Sequence, residues 1–470
     1  MTSEWPQKQL SEVVDFNPRL DKSAYRDDLE VSFVPMAAVE AGSGRMEVSQ
    51  ARRFSTVKKG YTPFREGDVL FAKITPCMEN GKMAVVPKLS NGLGFGSTEF
   101  HVLRPHQGID PRYVYYFVSS QGFRREAAHR MTGAVGQKRV PKSFLEEASI
   151  PVPHFDDQQR IVAEIEKQFS RLDEAVANLK RVKANLKRYK AAVLKAAVEG
   201  KLTEDWRKQH SDVEPAGKLL ERILAERRTK WSGRGKYKDP VKPETDNLPA
   251  LPNSWIWTAF EQISLRVTVG HVGPMKHEYV PKGIPFLRSQ NVRENKFDSE
   301  GLLFIRPEFH SKLSKSVIRG GDLAVVRSGS VGVTCVIPGT LGEANCADLV
   351  LIQGPLGLVP QFGAYYMNSM AKRHIEAGKV GIALTHFNTR SVAAMPVPLP
   401  PLAEQERIVS EVERRLSVIE ELEAAVQANL TRADRLRQSI LGQAFAGKLV
   451  CANTNQSGER SADIQMAKSL

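Results

Sequence analysis

The most constraining feature of the sequence is a segment that occurs twice, at residues 151–202 and again at residues 398–449. The first copy begins PVPHFDDQQRIV and the second begins PLPPLAEQERIV, and both end in GKL. The copies align without a gap, because Arg160 and Arg407 are separated by 407 − 160 = 247 positions and Gly200 and Gly447 by 447 − 200 = 247. A repeat kept at constant length predicts an element whose length matters.

Each copy has the sequence pattern of one long helix. The Pro-x-Pro at its start favours extended chain, and Asp156 and Asp157 then suit a helix N-terminus. Apolar residues follow at steps of three and four, and Gly200 and Gly447 are predicted to end the two helices. From Ile161 to Ala197 such a helix would be roughly 54 Å long. The apolar positions are Ile161, Ile165, Phe169, Leu172, Val176, Leu179, Val182, Leu186, Tyr189, Val193 and Ala197 in the first copy, and Ile408, Val412, Leu416, Ile419, Leu422, Val426, Leu430, Ala433, Leu436, Ile440 and Ala444 in the second.

One helix alone cannot bury so narrow an apolar stripe. We therefore expect the two copies to pack on each other as an antiparallel coiled coil, which would place the intervening domains at opposite ends of one rod. Two alternatives remain: separate helices that each lie on their own domain, and a parallel coiled coil with another chain.

The segments between the repeats have the mixed pattern of α+β domains. In the first, short β-type runs precede a predicted helix at Tyr113–Arg130. The second has the same order of features, since GDLAVVR at residues 321–327 parallels GDVLFAK at residues 67–73. The predicted fold is therefore α+β, a tandem duplication in which two globular domains are separated by two long paired helices. Its segments are a globular domain at residues 1–150, a helical spacer at 151–202, a short helix and linker at 203–252, a second globular domain at 253–397, a second spacer at 398–450 and a polar tail at 451–470.

The charge of the chain favours a polyanionic partner. Lysine and arginine number 67 against 53 acidic residues, a formal net charge of +14, which is typical of proteins that bind nucleic acid. The excess is concentrated in the first spacer, where residues 180–190 form a basic run without acids. A solvated helix face is the commoner explanation of such a run, and a face beside a phosphate backbone is the functional one.

Several classes of function find no support in the sequence. No apolar run is long enough to span a membrane, MTSEWPQKQL lacks the apolar core of a signal peptide, and the four cysteines have no metal-ligand or disulfide pattern. These features predict a cytoplasmic protein. No Gly-rich loop ends in Gly-Lys-Ser/Thr, the histidines are scattered, and no general acid–base pair can be nominated. We therefore expect no catalytic residue and no metal site, and we interpret Asp68 and Asp322 as turn residues at strand entry.

The duplicated element resembles the specificity subunit of type I restriction–modification systems. The segments GDVLFAKITPCMENGK at residues 67–82, GFGSTEFHVLRP at residues 94–105 and GDLAVVRSGSVGV at residues 321–333 resemble its target-recognition domains. The lead-in LPALPNSWIW at residues 248–257 matches too, so the resemblance covers nearly the whole chain.

The resemblance implies a sequence-specific DNA-binding subunit without catalysis of its own. Each globular domain would read one half of a bipartite double-stranded DNA target, and the helices would set the gap between the halves. Two modification subunits would bind S-adenosylmethionine and methylate adenine N6, and two restriction subunits would cut DNA with ATP and Mg²⁺, as in defence against phage. The competing classes are a catalytic restriction or methyltransferase polypeptide and a coiled-coil scaffold that does not bind DNA. Both explain less, because the first needs a catalytic domain and the second leaves two diverged basic domains without a task.

Reading DNA requires hydrogen-bonding side chains on loops beside a rigid frame. For any single residue, ordinary surface solvation is the commoner explanation. The groups 137–139 and 385–388 are the strongest candidates, because each lies in a glycine-flanked loop just before a spacer. The candidates are Arg52, Arg53, Lys73, Thr75, Lys82, Gln137, Lys138 and Arg139 in the first domain, and Lys276, Arg293, Arg327, Ser328, Ser330, Thr385, His386 and Asn388 in the second.

Overall fold

The structure is a computed structural model that describes residues 5–134, 136–230, 235–246, 248–378 and 388–449, without the side chains of 370–378. The chain divides into two compact units, residues 1–181 with 426–470 and residues 182–425. Each unit therefore contains one globular domain and a part of both long helices. Among the described residues, none of the helices combines the length and the apolar character that a membrane span requires.

The first domain consists of short strands and helices. Its strands are β1 (Gln7–Gln9), β2 (Val14–Phe16), β3 (Glu30–Val34), β4 (Ala51–Arg53), β5 (Thr62–Arg65), β6 (Val69–Ala72), β7 (Met83–Val85), β8 (Leu93–Gly96), β9 (Phe100–Pro105) and β10 (Ser149–Pro151). Its helices are α1 (Phe54–Val57), α2 (Pro111–Ser119), α3 (Gln121–His129) and α4 (Lys142–Glu147). The long helix α5 (Phe155–Val198) follows, and then the short helices α6 (Glu204–Gln209) and α7 (Ala216–Thr229).

The second domain also consists of short strands and helices, and the second long helix follows it. Its strands are β11 (Ile256–Ala259), β12 (Ser264–Val269), β13 (Tyr279–Val280), β14 (Ile284–Leu287), β15 (Val292–Arg293), β16 (Lys296–Phe297), β17 (Leu303–Ile305), β18 (Leu323–Val326), β19 (Thr334–Val336), β20 (Asn345–Cys346), β21 (Leu349–Pro355) and β22 (Pro396–Leu399). Its helices are α8 (Pro307–Lys312), α9 (Pro360–Gly378) and α10 (Thr389–Ala393), and α11 (Leu402–Phe445) is the second long helix.

The two domains share one strand order. The central sheet is β2-β9-β6-β7 in the first domain and β12-β21-β18-β19 in the second. In both, a strand before the spacer pairs with a strand near the start of the domain, β10 with β1 and β22 with β11. The second sheets are related but not identical. Strand β3 is parallel to β8 as β14 is to β20. In the first domain β8 also pairs with β5, whereas its equivalent β20 is the last strand of its sheet among the described residues. The duplication predicted from the sequence is thus present at the level of topology.

The predicted helix at Tyr113–Arg130 is two helices. Ser120 has φ −61° and ψ 146°, an extended conformation that ends α2. Its hydroxyl then accepts a hydrogen bond from the N–H of Phe123 at 3.4 Å and caps α3. The apolar periodicity continues across the break, so periodicity alone did not reveal it.

The long helices have the same length and the same ends. Each has 44 residues, and α11 begins 247 positions after α5. At the ends, the N–H of Lys201 donates to the carbonyl of Ala196 and that of Lys448 to the carbonyl of Gln443, both at 2.9 Å. Gly200 follows α5 and Gly447 follows α11, with φ of 71° and 72°. These are Schellman motifs, and they confirm the predicted glycine ends.

In each unit the two helices pack side by side and run in opposite directions. In the first unit Ile161 and Ile165 share a core with Ile440 and Ala444, and farther along α5 the ring of Phe169 lies 4.3 Å from the guanidinium of Arg437. In the second unit one core contains residues of both helices, namely Val193, Leu194, Ala197 and Val198 of α5 with Ile408 and Val412 of α11. The predicted antiparallel pairing is confirmed within each unit.

The apolar stripe is only partly buried. Leu186 and Ile419 are 8% and 1% exposed, whereas Val182, Tyr189 and Leu422 are between 43% and 49% exposed. Two helices in contact bury only the residues that point into their common seam. The stripe is therefore wider than one helix partner can cover.

A buried glutamine attaches each domain to its long helix. Oε1 of Gln158 accepts the N–H of Asp110 at 2.9 Å, and its Nε2 donates to the carbonyls of Gly108 and Pro153 at 3.3 and 3.0 Å. Gln158 and Gln405, which are 1% and 0% exposed, are equivalent positions of the repeat. We call each of these arrangements a glutamine clamp.

The second clamp makes the same contacts as the first. Gln405 accepts the N–H of Val359 at 2.7 Å and donates to the carbonyls of Gly357 and Pro400 at 2.9 and 3.0 Å. In both units the clamp joins the loop before a domain helix to the first turn of a long helix. The glutamine common to the two copies thus has a structural reason.

Replacing Gln158 by leucine is expected to lower the free energy of unfolding by about 1–3 kcal/mol, because it leaves the buried N–H of Asp110 and the buried carbonyl of Pro153 without their partner. Chemical denaturation of the purified protein measures this change. Gln159→Leu, at the neighbouring exposed position, is the control and is expected to change stability by less than about 0.5 kcal/mol. Equal losses in the two variants would contradict the clamp.

Candidate nucleic-acid interface

The first group of candidate residues lies at the end of strand β6. Lys73 follows this strand directly, and its carbonyl accepts the N–H of Val140 at 2.8 Å. The N–H of Thr75 donates to the carbonyl of Lys138 at 3.0 Å. The structure thus brings Lys73 and Thr75 together with the loop at residues 137–139, as expected for a shared surface.

An ion pair holds this loop in place. The Nε and Nη2 atoms of Arg139 donate to the two carboxylate oxygens of Glu99 at 2.9 and 2.7 Å, and its Nη1 donates to the carbonyl of Gln137 at 3.1 Å. The hydrogen bond from Arg139 lowers the pKa of Glu99, so the carboxylate stays ionised at neutral pH. The loop therefore presents its guanidinium in one orientation.

A buried histidine contacts the same loop. Nε2 of His101 lies 3.0 Å from the carbonyl of Val140, and Nδ1 lies 3.3 Å from the side-chain nitrogen of Asn17. Burial lowers the pKa of His101, so the ring is neutral, and these two partners assign its proton to Nε2. A neutral ring suits a position surrounded by Lys73 and Lys142, since a charged one would be repelled.

The second domain has a comparable group at the end of strand β18. Nη1 of Arg327 donates to Oδ1 of Asp348 at 3.0 Å, and the hydroxyl of Ser328 donates to Oδ2 at 3.3 Å. Ser328 and Ser330 are exposed in the turn that follows. Asp348 itself has φ 43°, a left-handed conformation that aspartate and asparagine tolerate better than most residues.

The remaining candidates of the first domain are Lys82, whose carbonyl accepts the N–H of Ala72 beside Lys73 at 3.1 Å, and two arginines that lie outside the loop group. Nζ of Lys82 donates to the carbonyl of Met36 at 3.0 Å. Arg52 and Arg53 are on edge strand β4, where Arg52 stacks 3.5 Å above the ring of Phe33. They pair with the start of β3, the opposite end from Val34, which pairs with β8 near the loop group. A role in DNA binding for these three stays a prediction.

The remaining candidates of the second domain are dispersed. Lys276 is exposed in the segment between β12 and β13, and Arg293 pairs with Asp298 at 3.2 Å in the hairpin of β15 and β16. The side-chain oxygen of Asn388 accepts the N–H of Ser391 at 2.8 Å and so caps α10. Thr385 and His386 lie outside the described residues. The structure thus groups Arg327 with the two serines and leaves Lys276, Arg293 and Asn388 as separate predictions.

Asp68 and Asp322 are turn residues, as the sequence predicted. Each carboxylate accepts the backbone N–H three residues earlier, from Arg65 at 2.7 Å and from Arg319 at 2.9 Å. They differ in their other partner. Arg104 forms a bidentate ion pair with Asp68, whereas Asp322 receives the N–H of Gly354 at 2.8 Å, and burial raises the pKa of Asp322.

Sequence reasoning missed the acidic partners Glu99 and Asp348. A signal was present, because each stands directly before the long apolar strand of its domain, β9 or β21. Which arginine or lysine each acid would pair with could not be read from the sequence, since the paired residues are 40 and 21 positions apart.

The two groups can donate hydrogen bonds to nucleic acid. Arginine, lysine and serine at strand ends bind phosphates and base edges, and none of these contacts requires a metal ion. Within the described part of the chain, no group of three or more His, Cys, Asp and Glu side chains could hold a metal ion. The basic run of the first spacer is exposed at Lys180, Arg181 and Lys187, which agrees with either explanation given for it.

Comparison with known sequences finds one family. The family described as type I restriction modification DNA specificity domain matches residues 2–188. The chain is 27% identical to the specificity subunit of the type I restriction enzyme EcoEI of Escherichia coli, over 93% of this chain and 82% of that protein. It is 26% identical to the EcoAI specificity subunit of the same species, with the same coverage.

Comparison with solved structures shows the same fold. A chain described under "Structural basis underlying complex assembly and conformational transition of the type I R-M system" superposes with a TM-score of 0.66 at 21% identity, covering 95% of this chain and 98% of the other. The HsdS subunit from Thermoanaerobacter tengcongensis gives a TM-score of 0.55 at 19% identity, with 95% and 97% coverage. Sequence similarity and fold therefore agree along nearly the whole chain, and the protein is similar to the specificity subunits of type I restriction–modification systems.

Proposed function

We propose that this chain reads a bipartite double-stranded DNA target, with one globular domain for each half. One observation carries the proposal: the two domains share the strand order of the central sheet and place a basic residue, Lys73 or Arg327, at the end of the same strand. The neighbours of these residues differ between the domains. A common frame with different hydrogen-bonding groups is what two readers of different base sequences require.

The net charge supports the same proposal. A charge of +14 provides attraction to DNA that does not depend on sequence. The ion-paired Arg139 and Arg327 are held in defined orientations at the strand ends. Attraction and oriented donors together account for binding and for discrimination.

The proposal places the chemistry in partner proteins. Two modification subunits would bind S-adenosylmethionine and methylate adenine N6, and two restriction subunits would use ATP and Mg²⁺ to cut unmodified DNA. The names of the relatives, which are specificity subunits of restriction enzymes, support such an assembly. We place the complex in the cytoplasm, where it meets incoming DNA.

Cells that carry this protein with its modification subunits are expected to contain N6-methyladenine in one bipartite motif, two specified halves separated by a gap of fixed length. Long-read sequencing of genomic DNA measures the motif. The control is the same cell with the modification subunits alone, in which the motif should be absent. A single contiguous motif, or methylation that does not depend on this chain, would contradict the proposal.

A further inference from the structure

An acidic residue occupies the same place in both domains. Glu99 precedes β9 and Asp348 precedes β21, and these are equivalent strands of the central sheets. The separation of 348 − 99 = 249 positions equals that between Asp110 and Val359, which bind the two glutamine clamps. The two carboxylates are therefore structural equivalents.

Each carboxylate binds an arginine, but the two arginines come from different places. Arg139 belongs to the loop before α4, whereas Arg327 follows strand β18 and is the equivalent of Lys73. The position of the acid is thus common to the two domains while its partner differs. A shared acid with different partners indicates that its task is to orient a guanidinium, whichever loop provides it.

The geometry leaves donors available for DNA. A guanidinium has five N–H groups. In Arg139 two of them point to Glu99 and one to the carbonyl of Gln137, which leaves one on Nη1 and one on Nη2. The Arg139 and Arg327 side chains remain 43% and 33% exposed. These pairs are therefore accessible to a ligand.

The carboxylate also has an effect on unspecific binding. An arginine without an acidic partner turns to the nearest phosphate, whatever the sequence. A carboxylate beside the arginine holds the guanidinium away from the DNA backbone and repels phosphates. Such a repulsive element raises specificity. Affinity for random DNA and preference for the correct DNA should then respond in opposite directions when the acid is neutralised.

We propose that Glu99 and Asp348 are specificity-determining positioning residues, each of which holds one arginine, Arg139 or Arg327, in the orientation that reads its half of the DNA target. This inference rests on the proposed function, since it presumes that each domain reads a half-site. The ionised state of Glu99 agrees with it.

The test uses the complex of this chain with its modification subunits. Glu99→Gln and Asp348→Asn keep the side-chain shape and remove the charge, and asparagine also tolerates the left-handed backbone at position 348. The methylation motif is mapped in cells, and binding is measured by fluorescence anisotropy with duplexes that carry the motif, one altered half or a random sequence.

Each variant is expected to relax one half of the motif, with a loss of preference for the correct half of about ten-fold or more, while binding to random DNA strengthens. The controls Asp15→Asn and Glu343→Gln remove acids that pair with His106 and with His310 and Arg319, respectively. Asp15 lies opposite the end of β9 that is remote from Glu99, and Arg319 precedes β18 whereas Arg327 follows it, so both controls should leave both motif halves unchanged.

A further pair of variants separates orientation from stability. The exchange Glu99→Arg with Arg139→Glu restores an ion pair but moves the guanidinium, so it should restore the thermal midpoint and not the preference. Glu99→Gln combined with Arg139→Gln should lose no more preference than Arg139→Gln alone, because the two residues act as one unit.

The possible failures are distinguishable. If the wild-type complex shows no preference between motif and random DNA, the proposed function fails, and this inference fails with it. If the wild type discriminates and both neutral variants discriminate equally well, only the inference is overturned. Recovery of full preference in the exchanged pair would likewise overturn it, since a merely stabilising ion pair would then suffice.

Discussion

Replacing residues 1–150 by the corresponding domain of a relative is expected to change one half of the methylated motif completely and to leave the other half and its modification intact. The reason is that all the described hydrogen-bonding groups at the end of β6, from Lys73 to Arg139, come from this segment. The second domain has its own group at Arg327 and Asp348. The motif from long-read sequencing of methylated DNA measures the result.

The chimera must keep the contacts that hold the first domain on its helices. The rings of Tyr113 and Phe117 lie 5.1 and 5.3 Å from that of Phe445, and the N–H of Gln121 donates to Oε1 of Gln438 at 2.8 Å. Residues 108–110 bind the glutamine clamp of the first unit. Without these groups an inactive chimera would report a lost attachment rather than a lost specificity.

The reciprocal replacement of residues 253–397 is the control and should change the other half alone. If either replacement altered both halves, the two domains would not read independently, and the modular interpretation would be wrong. A chimera that keeps the original motif would show that residues outside the replaced segment read the DNA.

Replacing Glu404 by alanine is expected to lower the unfolding free energy of the second unit by about 3–5 kcal/mol, the usual cost of removing one partner from a buried ion pair. The carboxylate is fully buried and accepts from the Thr203 hydroxyl at 2.7 Å, from Trp255 Nε1 at 2.8 Å and from Arg207 Nε at 3.0 Å. Its loss leaves two uncharged donors and the guanidinium of Arg207 without their acceptor. Chemical denaturation followed by tryptophan fluorescence measures the change.

The repeat provides a matched control for this variant. Asp157 is the equivalent residue of the first copy, since 404 − 157 = 247, but its carboxylate pairs with Arg160 at 3.4 Å on an accessible helix face. Asp157→Ala is expected to cost less than about 1 kcal/mol. Comparable losses at the two positions would show that the position in the helix, and not the buried network around Glu404, determines the effect.

The sequence predicted the long-range plan because the plan depends on periodicity and on the repeat. The spacing of apolar residues gave the helices, glycines at equivalent positions gave their ends, and the parallel between residues 67–73 and 321–327 gave equivalent strands, β6 and β18. The break at Ser120 was missed, because a single polar residue between two helices does not interrupt an apolar pattern. Exposure of Val182 and Tyr189 was missed, because periodicity does not show how much of a stripe one partner helix covers.

The interface was predicted less completely than the fold. Loops rich in glycine and basic residues pointed to Arg139 and Arg327, and the structure places both at the ends of central strands or in loops beside them. Their acidic partners depend on which strands are neighbours, as do the buried His101 and the network of Glu404. Such contacts between distant parts of the chain require three-dimensional geometry, and composition does not encode them.

The glutamine clamps have a consequence for the history of proteins of this kind. Gln158 and Gln405 make the same three hydrogen bonds. Within its domain, each glutamine binds only one N–H and one carbonyl, both from the backbone of a single loop. Because backbone groups are present whatever the side chains are, a glutamine clamp can bind a domain regardless of which residues that domain presents to DNA. Genetic recombination within the two copies of the repeat can therefore exchange one domain for another and keep the glutamine clamp, so that a new DNA specificity arises without a new assembly.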